Sequence, residues 1–137
     1  MTRATTFAIG LLLYAVALPV QAATITVTNT NDSGPGSLRQ ALTSANDGGT
    51  ITFAVRGTIT LTSGTLVIDK SVTISGPGAD RLAIDGIQAQ FQCVFGVSPG
   101  KTVTISGLTV TNGVLGICNG EASLTVSNCV VSGHDPG

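Results

Sequence analysis

A five-residue segment occurs twice in the chain, and a third segment resembles it. Val-Thr-Ile-Ser-Gly spans residues 72–76 and again 103–107, and Leu-Thr-Val-Ser-Asn spans 124–128. The copies therefore start 31 and then 21 residues apart. Each copy alternates apolar with small polar residues, which is the pattern of a strand that buries one face. A repeat of about 20 to 25 residues with short strands and tight bends is typical of one coil of a parallel β-helix.

The residues that end the three copies predict where the chain turns. They are Gly76, Gly107 and Asn128, and the alternation resumes after the last two in the aligned segments 108–111 and 129–132. Gly and Asn tolerate the left-handed backbone conformation, so a strand can turn a corner at Gly107 or Asn128. Consecutive hairpins would also fit the strand spacing, but the turns lack a consistent Asn-Gly or Asp-Gly pair. We therefore expect an all-β fold, a right-handed parallel β-helix of about four to five coils.

Stacked coils should produce interior rows of equivalent residues, about 4.8 Å apart. We expect Ile74, Ile105 and Val126 to form one such row. Segment 77–86 lengthens the first interval and is interpreted as an insertion that contains a strand at 82–84. Further alternating segments predict strands at 23–28, 51–53, 58–61, 65–68 and 91–97.

One short helix is predicted in this β-rich chain, over residues 37–46. Ser37 can accept a hydrogen bond from the backbone N–H of Gln40, and the Gln40 side chain can reach back, which is the capping-box arrangement. Arg39 is expected to face away from the core. The apolar stripe has helical spacing and consists of Leu38, Ala41, Leu42 and Ala45. We expect this stripe to close the first coil, against the strands at Ile51, Ile59 and Leu66.

The first 22 residues have the pattern of a secretory signal peptide. Arg3 gives a positive start, residues 7–18 are apolar, and Val20-Gln21-Ala22 is a small-x-small cleavage signature. The apolar run is shorter than the roughly 20 residues that span a bilayer. We therefore expect cleavage after Ala22, no membrane span in the mature chain, and an extracellular or cell-surface location.

Charge and cysteine content restrict the partners. The formal net charge is −1 and becomes −2 without Arg3, which gives no basic surface for nucleic acid. Three cysteines follow the signal peptide, at 93, 118 and 129. Our first interpretation of each is a small buried hydrophobic residue, with a bridge between Cys118 and Cys129 as the alternative. Their spacing matches no zinc site.

The segment Gly36-Ser37-Leu38-Arg39-Gln40-Ala41 resembles the hexapeptide Cys-Ser-Leu-Arg-Glu-Ala, with Gly36 and Gln40 as the two departures. This hexapeptide names the N-terminal CSLREA-type module of bacterial exported right-handed parallel β-helix proteins, which are pectate-lyase-like in fold. The resemblance covers roughly residues 23–113 and implies a β-helix, but it implies no particular activity. It divides the chain into a signal peptide at 1–22, a strand and capping helix at 23–49, and coils at 50–137. No second cap follows residue 133, so we expect further coils of a longer chain.

The weak candidates for catalysis are Asp80, Arg81 and Asp85. In pectate-lyase-like enzymes acidic residues hold Ca²⁺ and an Arg or Lys removes a proton beside a uronate carboxylate, so Ca²⁺ is expected only in that case. Side-chain bonds of the aspartates to turn backbone are the more common role. We therefore expect a non-enzymatic, exported surface or extracellular module, adhesin-like or structural, with glycan or protein ligands. The alternative is the N-terminal part of a lyase or glycoside hydrolase that acts on acidic polysaccharide.

Overall fold

The computed structural model describes residues 22–87 and 93–133. Within them the chain winds as a right-handed parallel β-helix of about four turns, which confirms the fold expected from the repeats. The elements in chain order are β1 (Thr24–Val27), α1 (Leu38–Ser44), β2 (Gly49–Phe53), β3 (Gly57–Thr60), β4 (Leu66–Ile68), β5 (Val72–Ser75), β6 (Leu82–Asp85), β7 (Cys93–Val97), β8 (Thr102–Ser106), β9 (Thr109–Thr111), β10 (Leu115–Asn119), β11 (Ser123–Ser127) and β12 (Val130–Ser132).

The strands form three parallel sheets, one on each wall of the coil. Sheet A has the order β1-β2-β5-β8-β11, sheet B the order β12-β9-β6-β3, and sheet C the order β10-β7-β4. The three coils that start at β2, β5 and β8 each contribute one strand to each wall, β1 adds a strand to sheet A, β11 and β12 add one strand each to sheets A and B, and the strand pairs are parallel. Because neighbours in a sheet are distant in sequence, only the parallel coil, and not a series of hairpins, explains the pairing.

An isoleucine row runs through the interior of sheet A, as the repeats predict. The backbone register pairs Ile51 with Ile74, Ile74 with Ile105, and Ile105 with Val126. Ile25 extends the row at the other end, opposite Ile51. Ile74 and Ile105 are 0% exposed, whereas Val126 on the terminal strand β11 is 41% exposed. The row is therefore covered in the middle and open at β11.

The corners between sheets A and B confirm the special role of Gly107 and Asn128. Both have left-handed backbones, with φ of +71° and +52°. Gly76 has no such φ, and its missing side chain serves another purpose. Its N–H donates to the Ser106 carbonyl at 2.8 Å, and Gly78 donates to the Gly107 carbonyl at 2.7 Å. A Cβ at Gly76 would overlap the Gly107 backbone, so consecutive coils can approach closely here.

The interpretation of 77–86 as an insertion is wrong in its extent. The strand inside it, β6, is a regular member of sheet B and pairs with β3 and β9. The longer interval arises because the corner between β5 and β6 takes residues 76–81, whereas the corner between β8 and β9 takes only 107–108. The connection from β6 to β7 is also long. The predicted strand at 91–97 is observed from Cys93, and Phe91 lies outside the described residues.

The predicted helix is observed, shortened to Leu38–Ser44. Ser37 is the N-cap and its Oγ accepts from the Gln40 N–H at 3.2 Å. The capping box is incomplete, because Gln40 Nε2 donates forward to Ser44 Oγ instead of reaching back. Ala45 ends the helix with an extended backbone and donates to the Ala41 carbonyl. The helix therefore begins and ends within two residues of the bounds predicted from the sequence, 37–46.

The apolar stripe of α1 is buried as expected. Leu38, Ala41, Leu42 and Ala45 all belong to the main core cluster. The helix contacts β1 and β4. The contact with β4 confirms the predicted partner strand at Leu66, and β1 is a partner that the sequence did not predict. Burying the stripe covers the end of the core beside the first coil.

The cysteine interpretation is wrong for two of the three residues. A disulfide joins Cys93 on β7 to Cys118 on β10, with their Cα atoms 5.9 Å apart. These strands are neighbours in sheet C, so the bond connects consecutive coils. Cys129 is bonded to neither and is half-buried, so the alternative Cys118–Cys129 bridge is also wrong. Sequence spacing could not identify this pair, because only the folded backbone shows which two cysteines have Cα atoms close enough for a disulfide.

Candidate functional site

The three weak catalytic candidates lie at opposite ends of one short strand. Asp80 and Arg81 are exposed in the corner before β6, and Asp85 is the last residue of β6. Asp85 Oδ1 accepts from the Ile87 N–H at 2.8 Å, and Ile87 has a φ of +51°. Asp85 therefore stabilises a turn. Among the described residues, no group of three or more His, Cys, Asp or Glu side chains could hold a metal ion.

A second charged cluster was missed by sequence reasoning, which had Arg39 facing away from the core. The Arg39 guanidinium joins three segments of chain. Nη2 donates to Asp32 Oδ1 at 2.9 Å and to the Gly64 carbonyl at 2.8 Å, and Nη1 donates to the Thr65 carbonyl at 3.0 Å. Nε donates to the Asp32 carbonyl at 3.2 Å. Arg39 therefore fixes α1 to the corner between β3 and β4.

Asp32 completes this cluster from the other side. Its Oδ1 accepts from the Thr62 N–H at 3.1 Å, and its Oδ2 accepts from the Ser63 hydroxyl. Burial raises the pKa of Asp32, but the hydrogen bonds from Ser63, Arg39 and Thr62, together with the Arg39 charge, outweigh it and lower the pKa to about 2. Because Arg39 and Asp32 use their donors and acceptors to hold segments of the chain together, the role of this cluster is structural. The chain offers no local signal for it, because Gly64 and Thr65 contribute only backbone carbonyls.

The outer face of sheet A carries a regular array of hydroxyl groups. The register of sheet A places a threonine on each of its five strands in one row, and the side chains of this row are exposed or half-buried. The threonine row consists of Thr24, Thr50, Thr73, Thr104 and Thr125.

A second row lies two residues further along each strand. Thr26 pairs with Thr52, and their hydroxyls are 3.2 Å apart. On the later strands the equivalent positions are serines, with Ser75 paired to Ser106 and Ser106 to Ser127. These two rows, the threonine row and the threonine/serine row, are called the hydroxyl array below.

The spacing of the hydroxyl array follows from β-sheet geometry. Strands in a sheet are about 4.8 Å apart, and residues two apart along a strand are separated by roughly 6.6 Å. The five strands of sheet A, all within the described residues, contain no charged residue. The nearest charged residues in sequence lie in the preceding corner, where Lys101 directly precedes β8. The array is therefore a regular, uncharged grid of five strands by two rows.

A shallow groove of about 290 Å³ adjoins the threonine row, where glycine replaces a side chain. Ser71 bridges coils at this margin, because its Oγ accepts from the Thr102 N–H at 3.0 Å. The groove is lined by Gly48, Gly49, Ser71, Val72, Thr73, Thr102 and Thr104. The repeats contain the signal for the array, a Thr-x-Thr or Thr-x-Ser pattern, which predicts outer faces rich in threonine and serine but not the alignment of these residues across five strands.

No helix in the described part of the chain has the length and apolar character needed to cross a membrane. Comparison with family models, curated proteins and solved structures found no match to this chain. The site is therefore defined by its own geometry, and the hydroxyl array with its adjoining groove is the candidate functional surface.

Proposed function

We propose that this chain is an exported surface or extracellular module that binds its ligand through the hydroxyl array and has no enzymatic role. The signal-peptide pattern of residues 1–22 and the resemblance to the CSLREA-type module support export. Such a module is adhesin-like or structural and carries ligand contacts on a rigid solenoid wall.

The observation that carries this proposal is the composition of the outer face of sheet A. Hydroxyl groups both donate and accept hydrogen bonds, and threonine adds a methyl group for apolar contact. Thr73 on β5 and Thr125 on β11 are exposed on either side of β8, on a face whose strands carry no charged residue. A surface of this kind favours many weak, similar contacts instead of acid–base chemistry, which needs groups that titrate near neutral pH. Uncharged glycans and polar protein surfaces have the matching chemistry.

Export is tested by expressing the whole chain with its own leader in a bacterial host. We expect the protein outside the cytoplasm, with Ala23 as its first residue in N-terminal sequencing. A chain that stays in the cytoplasm with Met1 intact would contradict this part of the proposal.

Binding is tested with immobilised panels of extracellular proteins and neutral glycans. We expect retention by the wild type, loss with Thr73→Lys on sheet A, and full retention with Thr58→Lys, a matched change at an exposed position of sheet B. Equal losses in both variants would contradict a specific face. Cleavage of polygalacturonate that disappears in Arg81→Ala would favour the lyase alternative.

A further inference from the structure

We propose that the hydroxyl array adsorbs to the surface of ice. This inference rests on the proposed function, because it names the ligand of the same binding face.

The array is a regular grid of five strands by two rows, and this restricts its ligand. Neighbouring strands are about 4.8 Å apart, and the two rows are separated by roughly 6.6 Å. A ligand that contacts every hydroxyl group of the grid at once must have groups at matching intervals in both directions. A crystal surface satisfies this requirement over the whole grid, whereas a folded protein surface or a single glycan chain contacts only part of it.

The chemistry of the array distinguishes between crystals. The strands of sheet A carry no charged residue, so the face has no groups to balance the ions of a mineral. Crystalline carbohydrate would add stacking contacts where a face presents aromatic rings, but Phe53, the aromatic residue in the sheet A strands, is packed against the core. Hydroxyl groups donate and accept as water molecules do, and the threonine methyl groups fill space between them. Solid water is therefore the crystal whose hydrogen-bonding chemistry resembles that of the array.

The array is also ordered before it meets a ligand. Its backbone is held by parallel pairing on both sides of β2, β5 and β8. Threonine is restricted at χ1 because it is branched at Cβ, so fixing its hydroxyl on a surface costs little entropy. Thr26 and Thr52 already lie with their hydroxyl oxygens 3.2 Å apart across neighbouring strands.

The groove beside the threonine row gives room for ordered water. Its volume is about 290 Å³, far more than the space that one water molecule needs. Hydroxyl-bearing residues line it at Ser71, Thr73, Thr102 and Thr104. Water held there would lie directly beside the array and could extend the contact with an ice lattice.

The test is ice-affinity partitioning of the purified, exported chain, with microscopy of ice recrystallisation as a second measurement. We expect the wild type to enter a slowly growing ice fraction and to slow recrystallisation. Thr73→Lys should raise the concentration needed by at least about tenfold, since it places a charge in the middle of the row. Thr58→Lys on sheet B carries the same charge and should behave like the wild type.

A second variant covers the case in which Thr73→Lys fails to fold. Thr73→Val keeps the shape of the side chain and removes only the hydroxyl, and its fold is checked by circular dichroism. A folded Thr73→Val protein with weakened ice adsorption supports the inference.

Two results would overturn it: exclusion of the wild type from ice, or unchanged adsorption of both Thr73 variants. Exclusion from ice combined with retention on a protein or glycan panel would remove only this inference and leave the proposed function. A cytoplasmic chain would instead remove the proposed function, while partitioning of the purified protein would still decide whether the array adsorbs to ice.

Discussion

Arg39 of the capping helix and Asp32 of the preceding turn form an ion pair with a 2.9 Å separation, and both side chains also bind the corner between β3 and β4. The pair is largely enclosed, with 23% of the Arg39 side chain and 13% of the Asp32 side chain exposed. It therefore joins the cap to the first coil through polar contacts, beside the apolar contacts of Leu38 and Leu42.

Replacing Arg39 with methionine should destabilise the protein by about 2 kcal/mol. The change keeps much of the side-chain volume, but it removes the charged donor to Asp32 and leaves the carbonyls of Gly64 and Thr65 without the Arg39 donors, and unpaired groups in enclosed sites are costly. Urea denaturation measures the loss. Arg81→Met is the matched control, because Arg81 is exposed, and it should change the free energy of unfolding by less than about 0.5 kcal/mol. Equal effects of the two changes would show that the Arg39 contacts contribute nothing.

Stability should fall in acid because of Asp32. Its pKa is about 2 in the folded chain against an ordinary value of 3.8, so the unfolded chain binds the proton more readily. The contribution is complete above about pH 5 and is lost as the pH falls from about 4 towards 2. After allowance for solvent screening it amounts to about 1 to 2 kcal/mol.

Asp32→Asn separates this contribution from that of other carboxyl groups. The difference in the free energy of unfolding between wild type and variant, measured from pH 2 to pH 6, should decrease with acidification. A difference that stays constant across this range would mean that Asp32 titrates normally.

Reducing the Cys93–Cys118 disulfide should lower stability by about 3 kcal/mol. The bond closes a loop with a sequence separation of 25, and such a loop restricts the unfolded chain by about this amount. Thermal unfolding with and without a reductant measures the effect, and mass spectrometry after alkylation should find one disulfide and a free Cys129. Cys129→Ser should retain the sensitivity to reductant, and Cys118→Ser should abolish it. The reverse pattern would assign the bond to other cysteines.

Shortening a side chain in the isoleucine row of sheet A should cost more stability in the middle of the row than at its end. Ile74→Ala removes side-chain volume at a position that is 0% exposed and should cost about 2 to 5 kcal/mol. Val126→Ala removes side-chain volume where 41% of the residue is exposed and should cost less than about 1 kcal/mol. Chemical denaturation of both variants tests the contrast. Similar losses would indicate that β11 is covered in solution.

The repeats predicted the sheet A strands and the Ile74–Ile105–Val126 row because the period of two and the repeat register are both local properties of the sequence. Corners at Gly107 and Asn128 were predictable for the same reason, since few residues adopt a left-handed backbone. The regular place of β6 in sheet B was not predictable, because only its pairing with β3 and β9 distinguishes a regular strand from an inserted one.

The candidate site was harder to predict than the fold. The Arg39 cluster depends on backbone carbonyls that have no sequence signature, and the disulfide depends on the stacking of β7 and β10. The hydroxyl array was visible as alternating small polar residues from Thr24 to Ser127, but alternation has the same appearance whether the outer face binds a ligand or only meets solvent. Its regularity in two dimensions becomes evident only when the register is known.

The unequal corners between sheets A and B have a practical consequence. Residues 76–81 and residues 107–108 connect strands that keep the same register, since Ala83 still pairs with Thr109 and Ile84 with Val110. Corners of different length therefore lead into strands that still pair in the same register. A fluorescent label attached to a cysteine in place of Asp80, which is exposed in the longer corner, would project from one side without shifting the rows on another. The chain thus has the properties of a display scaffold with a defined attachment point.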